Sequence, residues 1–182
     1  DIVIHAAALK HVESGEYNPF EVIKTNVVGT QNVIDAITGS RVEKSVFLST
    51  DKAVSPINLY GASKLAAEKL FIAANNYSKK KFSVVKYGNV FNSRGSVVPT
   101  FLDQIKEKQK ILLTNKKMTR FNISLEQGVN FVIMALQKMT GGETFIPNIY
   151  TIEIIDLIKI LKPKYGFSEI GIKPGEKIHE EL

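Results

Sequence analysis

Two apolar rhythms alternate along this chain, and that alternation most constrains its fold. Short apolar-centred runs at Ile2–Ala8, Lys44–Ser49 and Phe82–Tyr87 lack polar–apolar alternation. Runs of that length and pattern predict strands buried on both faces. Helical patterns separate them. The first covers Pro19–Thr38, with Asn18 as N-cap, Pro19 opening the helix and Gly39 just beyond it. The second covers Leu59–Tyr77, with Leu65, Leu70 and Phe71 as apolar positions. Strand–helix–strand order with buried strands implies an α/β fold: a parallel sheet flanked by helices.

The pattern continues with a helix at Val98–Lys108 and a strand at Ile111–Leu113. A helix at Ser124–Met139 follows, with Ser124 and Gln127 spaced as a capping box. Then come a strand at Glu143–Ile146, a helix at Ile152–Leu161 and a strand at Glu169–Lys173. Loops lengthen after Asn89. This divides the chain into a sheet scaffold over residues 1–88 and a smaller, mainly ligand-binding part over 89–182 that returns some sheet elements.

Composition removes several function classes. There is no cysteine, so disulfides and thiolate metal sites are excluded. The three histidines have no metal-ligand spacing, so no metal is expected. No apolar run reaches membrane-spanning length, and residues 1–8 lack the basic leader of a signal peptide. The expected location is cytoplasmic. The net charge of +6 fits a solvated surface or an anionic partner. The chain starts at Asp1 on a strand pattern, which reads as a fragment of a longer protein.

The densest chemistry lies in LSTDKAVSPINLYGASK, residues 48–64. A strand ends there at Thr50-Asp51-Lys52, and ligands of open parallel sheets bind beyond carboxyl strand ends. Tyr60 and Lys64 follow at i and i+4 on one helix face. An ammonium beside a phenol favours the phenolate, so this pair is an expected base near neutral pH. The spacing alone is unspecific, because Tyr77 and Lys81 repeat it. Its setting, after a strand end and an acid–base pair, distinguishes it.

HAAALKHV, NVVGTQNV, the 48–64 stretch, YGNVFNSRGSVVP, MTRF and PGEKIHE together resemble the extended short-chain dehydrogenases/reductases. More closely, they are similar to the polysaccharide biosynthesis group of inverting UDP-N-acetylglucosamine 4,6-dehydratases, which open pseudaminic acid synthesis for flagellin glycosylation. The resemblance runs from about His5 to the end. It implies a Rossmann-like parallel sheet, N-terminally truncated here, with a small C-terminal substrate-binding part. It further implies a lyase using NADP and a UDP-sugar, a homo-oligomer when full-length, and neither a nucleic-acid nor a membrane partner.

Roles follow position by position. Tyr60 matches the residue that helps deprotonate C4–OH during oxidation, Lys64 the one that binds the nicotinamide ribose. Asp51 matches the acid for the departing C6 hydroxyl, and Lys52 the base for the C5 proton. Thr50 matches the residue orienting the C4 hydroxyl. Ala7 and Ala8 match positions where the cofactor approaches the backbone. Lys10, Asn89, Arg94, Ser96, Val97, Arg120, Glu176 and Lys177 match substrate contacts. A Gly turn before a helix, or a surface Arg at 120, would explain some of these without a ligand. His5 is expected to be a satisfied core histidine, and His179 non-catalytic.

The Gly-rich first turn of a dinucleotide fold, and the acidic residue that follows it, are absent from these residues. The chain alone is expected to bind NADP poorly and to expose a sheet edge. A retaining dehydratase or a UDP-sugar 4-epimerase is the nearest alternative. Tyr60 favours the inverting group, and a 4-epimerase has no use for Asp51 and Lys52. A non-catalytic NADP-sensing or nucleic-acid-binding module is the alternative from another class.

Overall fold

The computed structural model describes residues 1–182. Strand β1 (Ile2–His5) leads through a loop to the short helix α1 (Val12–Tyr17). A long helical segment follows as α2 (Pro19–Val22), a π-helical stretch at Ile23–Val28 and α3 (Gly29–Thr38). Next come β2 (Lys44–Thr50), a 3-10 turn at Asp51–Ala53, α4 (Leu59–Ala73) and β3 (Lys81–Tyr87). The second half adds β4 (Asn89–Val90), α5 (Val97–Lys106), β5 (Ile111–Leu113) and β6 (Thr119–Ile123). It ends with α6 (Leu125–Lys138), β7 (Thr144–Phe145), β8 (Thr151–Glu153), α7 (Ile154–Leu161) and β9 (Phe167–Glu169).

The main sheet has the order β1-β2-β3-β7, and every pairing in it is parallel. Successive side chains of β2 and β3 point to opposite faces. Phe47 and Val84 join Ile34, Ile37, Ala67, Phe71 and Phe82 beneath α3 and α4. Val46 and Val85 join Val132, Ala135 and Met139 beneath α6. Both faces are therefore dry, which is why these strands show no polar alternation. A separate cluster of Phe101, Ile111, Leu113, Met118, Ile154 and Ile158 knits the second half. There β4 pairs with β6 in parallel, β6 with β8 antiparallel, and β5 with β9 in parallel.

The parallel sheet, its flanking helices and the Ser124–Gln127 capping box match the sequence expectations. Several details differ. The expected buried strand Ile2–Ala8 stops at His5, and Ile2 and Ile4 are exposed. Their face of β1 is left outside the cluster beneath α6, with Ile2 bordering an open cleft beside Ile133 and Leu136, while Val3 and His5 face the core. With β1 last in the order, the sheet presents an open edge there. Asn18 does not cap α2 through its side chain; its amide donates to the Ser14 carbonyl at the end of α1. The expected strand Glu169–Lys173 is shifted to Phe167–Glu169, because the ladder to β5 closes at Ile170 and Gly171 then turns at φ 87°. Three short strands, β4, β6 and β8, and helix α1 were not anticipated. The MTRF segment, read only as a motif, runs into β6.

His5 is a satisfied core histidine, as expected. The Thr30 hydroxyl gives its proton to the Asn26 carbonyl at 2.7 Å, so His5 Nε2–H must donate to Thr30 Oγ1, 3.0 Å away. Burial lowers the pKa of His5, and the neighbouring Lys64 charge lowers it further.

Candidate active site

The sheet delivers its chemistry at the carboxyl end of β2. Thr50 caps the 3-10 turn, its Oγ1 accepting from the Lys52 N–H at 3.4 Å and donating to Asp51 Oδ1 at 2.9 Å. Asp51 is fully buried. Lys52 Nζ lies 3.1 Å from Asp51 Oδ1 and 3.1 Å from Asn89 Oδ1 at the start of β4. Asp51 Oδ2 is buried and has no partner. A buried acid and a flexible amine thus meet at one point, with a lone pair left over.

Helix α4 is locked onto this turn. Asn58 caps it, Oδ1 accepting from the Gly61 N–H at 2.8 Å. A methyl group on Gly61 would sit 2.1 Å from the Lys52 carbonyl oxygen. Only glycine lets the first turn of α4 lie against the backbone that carries Lys52. Gly61→Ala is expected to destabilise the fold by about 1–3 kcal/mol. Thermal melting would check this, and an unaltered Tm would refute the packing account.

Tyr60 and Lys64 open α4 on one face, as anticipated, but their electrostatics differ from the expectation. Burial pushes the Tyr60 phenol up to about 12, partly opposed by the Thr50 hydroxyl and reinforced by Asp51 and Tyr87. Burial also pulls Lys64 down to about 8, with Glu68 acting the other way. The Lys64 ammonium is turned toward the sheet, donating to the Leu48 carbonyl at 2.7 Å and lying 3.8 Å from the Phe47 ring centre. Desolvation therefore outweighs the Thr50 hydrogen bond for Tyr60, and the phenol keeps its proton at neutral pH.

The loop after β1 is held from behind. Asn26, in the π-helical stretch, accepts from the Leu9 N–H at 2.8 Å and donates to the Leu9 carbonyl at 3.0 Å. Its amide also reaches Ser63 Oγ, 3.0 Å away on α4. This pins the small-residue loop, with Ala7 exposed and Ala8 half-buried, next to the helix that carries Tyr60 and Lys64. These residues fit the nicotinamide-ribose end of a dinucleotide: an open backbone without bulky side chains, a phenol and a buried amine. The Gly-rich turn that would hold the rest is not among residues 1–182.

The other sequence-nominated residues lie on the segments around this crevice. Lys10 Nζ donates to the Arg94 carbonyl at 2.8 Å, joining the loop after β1 to the one before α5. Arg94 is exposed. Ser96 precedes α5, and its hydroxyl is buried without a partner. Val97 begins that helix, half-buried. Glu176 also leaves a buried carboxylate oxygen unpartnered. Lys177 Nζ donates to the Val54 carbonyl at 2.6 Å.

Arg120 is not a surface residue. It is buried, and its guanidinium donates to the carbonyls of Thr119 at 2.7 Å, Lys177 at 2.9 Å and Ile178 at 3.0 Å. It straps the C-terminal segment down. Asn26, Ser63 and Glu180 were missed by sequence reasoning. An asparagine inside an apolar helix run was the one available signal for Asn26, and nothing local marked the others.

All 182 residues match the family described as polysaccharide biosynthesis protein. The chain belongs to this family. Within it, the sequence is 56% identical to UDP-N-acetylglucosamine 4,6-dehydratase (inverting) of Campylobacter jejuni over 99% of the chain. It is 42% identical to a UDP-glucose 4-epimerase of Rickettsia canadensis over its whole length. The chain spans about half of each relative, 55% in both cases. Among solved structures, Pen from Bacillus thuringiensis superposes with a TM-score of 0.93 at 47% identity, covering 100% of the chain and 60% of that protein. These likenesses agree with the Rossmann-like sheet seen here. No helix of this polysaccharide biosynthesis family member is long and apolar enough to cross a membrane.

Proposed function

We propose that the full-length protein is a UDP-N-acetylglucosamine 4,6-dehydratase that inverts C5, with NADP as its cofactor. The product would be a UDP-4-keto-6-deoxy-hexose, in the first step toward pseudaminic acid for surface-glycan or flagellin modification. The observation that carries this reading is the 3.1 Å pairing of Lys52 Nζ with buried Asp51 beside Tyr60. Oxidation at C4 needs only a phenol and a lysine. Elimination needs in addition a base for the C5 proton and an acid for the C6 oxygen. The C. jejuni relative's description names the same reaction.

In this reading, Thr50 orients the C4 hydroxyl and Tyr60 takes its proton in the phenolate form, after giving up the proton it holds in the free site. The resulting ketone acidifies C5–H. A proton passed from Lys52 Nζ to Asp51 across their 3.1 Å contact would leave a neutral amine to accept the C5 proton and a carboxylic acid to protonate the C6 hydroxyl, which leaves as water and restores the ion pair. A bound nicotinamide would take up the C4 hydride and return it at C6, with a solvent-derived proton added at C5, so the cycle uses no external reductant. Lys64, together with the loop at Ala7 and Ala8, would hold the nicotinamide ribose. Lys10, Asn89, Arg94, Ser96, Val97, Glu176 and Lys177 would bind the UDP-sugar. Arg120 would act there through the strap it holds. The unpartnered oxygens of Ser96, Glu176 and Asp51 are buried acceptors on the segments that frame that crevice.

A 4-epimerase is the second reading, favoured by the 42% identity to the Rickettsia protein. The test is to incubate the full-length protein with UDP-N-acetylglucosamine and NADP in deuterated water and follow the sugar by NMR. A 4-keto-6-deoxy product with deuterium at an inverted C5 is expected. Retention at C5 would reassign it to a retaining dehydratase. A C4 epimer without loss of water would establish the second reading.

A further inference from the structure

Lys52 has a third charged neighbour. Glu180 lies on the C-terminal segment, is buried, and places Oε1 3.8 Å from Lys52 Nζ. Its Oε2 lies 3.6 Å from Lys177 Nζ and has no hydrogen-bond partner. An ammonium has three N–H donors. Two oxygens accept from Lys52 Nζ, Asp51 Oδ1 and Asn89 Oδ1, and Glu180 Oε1 stands at ion-pair distance on a third side. Asp51 comes from the turn after β2, Asn89 from β4 and Glu180 from the far end of the sequence.

Burying a carboxylate is costly unless its position is used. Anchoring the C-terminal segment does not use it. That segment is held by Arg120 on the carbonyls of Lys177 and Ile178, and by the Thr119 N–H on the Ile178 carbonyl at 3.0 Å. Asn58 Nδ2 reaches the Gly175 carbonyl at 2.7 Å, Lys177 reaches Val54, and Thr119 Oγ1 contacts His179 Nδ1 at 2.7 Å. None of these bonds involves Glu180, so the strap would stay in place without its carboxylate. Besides Lys177, whose amine already donates to the Val54 carbonyl, the carboxylate faces the amine proposed to act at C5.

We infer that Glu180 is a positioning residue for Lys52, holding the amine in the third of three directions so that it stays aimed between Asp51 and the sugar. The inference rests on the elimination reading above. Lys52 hangs from a short turn by a flexible four-carbon stem. With only Asp51 and Asn89 to hold it, the amine can swing about the line joining those two oxygens. A carboxylate on a strap held by six other contacts removes that freedom. The neighbouring Glu181 does not share the role, since it is exposed and its only polar contact is with Ser55 at 3.5 Å.

The test uses the full-length protein with UDP-N-acetylglucosamine and NADP. Glu180→Gln is expected to lower kcat for the 4-keto-6-deoxy product by about 10- to 100-fold, with KM and Tm unchanged. Oxidation at C4, followed by nicotinamide absorbance in single turnover, should persist. Glu180→Asp should recover part of kcat, and Glu181→Gln should match wild type. A fall in C4 oxidation equal to the fall in elimination would overturn the inference, as would wild-type kcat in Glu180→Gln. A Tm drop with no recovery in Glu180→Asp would reduce Glu180 to a structural part of the strap. If wild type itself forms no dehydrated sugar, the elimination reading fails, separately from Glu180.

Discussion

Lys52→Ala in the full-length protein is expected to lower formation of the dehydrated sugar by about 10²–10⁴-fold, the usual contribution of a general base. Oxidation at C4 should survive. The reason lies in the geometry: Lys52 meets Asp51 and Asn89, whereas Tyr60 stands on α4 with Thr50 as its hydroxyl neighbour. In the proposed reading the two half-reactions use different side chains. Tyr60→Phe should therefore show the converse pattern, with loss at the oxidation step and no dehydrated product because no ketone forms. Single-turnover nicotinamide absorbance reports the first step and deuterium at C5 the second. The alanine variant leaves Asp51 buried without its cation, which destabilises by several kcal/mol when a buried pair is broken. Lys52→Gln, which can still donate to Asp51, separates that structural loss from the catalytic one. If both variants lose C4 oxidation as well, the division of labour is wrong.

The second large effect is on stability. Lys64 is buried and its pKa is drawn down to about 8, against about 10.4 in an unfolded chain. Below pH 8 both states carry the charge, and the folded state bears the whole desolvation cost of about 3 kcal/mol. Between pH 8 and about 10.4 the folded amine is neutral while the unfolded one still binds a proton. Raising the pH across that window therefore stabilises the fold, and the cost disappears above it. Lys64→Met replaces the amine with an apolar side chain of similar length and has no such dependence. Denaturant unfolding at several pH values should show the variant gaining on wild type at pH 7 and losing that lead by pH 10.5. A pH-independent difference would contradict the burial account. If Lys64 holds the nicotinamide ribose as proposed, the variant should be inactive, and this position would give up stability for function.

The main sheet was legible because β2 and β3 are apolar on both faces, a property each strand carries in its own residues. The Ser124–Gln127 capping box was legible for the same reason: its two bonds close within one turn. The Thr50–Lys64 constellation could be placed at a strand end because strand, turn and helix are contiguous. The misses are long-range. β4 has two residues, and its pairing with β6 is set by chain more than thirty residues away. Arg120 reads as a free cation in the sequence, and only the folded tail shows it spent on carbonyls of Lys177 and Ile178. Tyr60 was expected to ionise more easily because the sequence shows its lysine neighbour. It does not show the burial that pushes the phenol the other way.

The strap at the C-terminal end bears on the order in which the protein is made. Chains leave the ribosome N-terminal end first, and early units fold as they emerge. Strands β1, β2 and β3 and helices α3 and α4 can pair and pack while the later residues are still being added. Lys52 then already stands beside Asp51, but the carboxylate of Glu180 and the carbonyls gripped by Arg120 do not yet exist in the growing chain. The groups around Lys52 are completed only once residue 180 has been added, long after β1, β2 and β3 have been made. A chain stopped between α4 and that point would hold paired strands and an incomplete set of groups around Lys52.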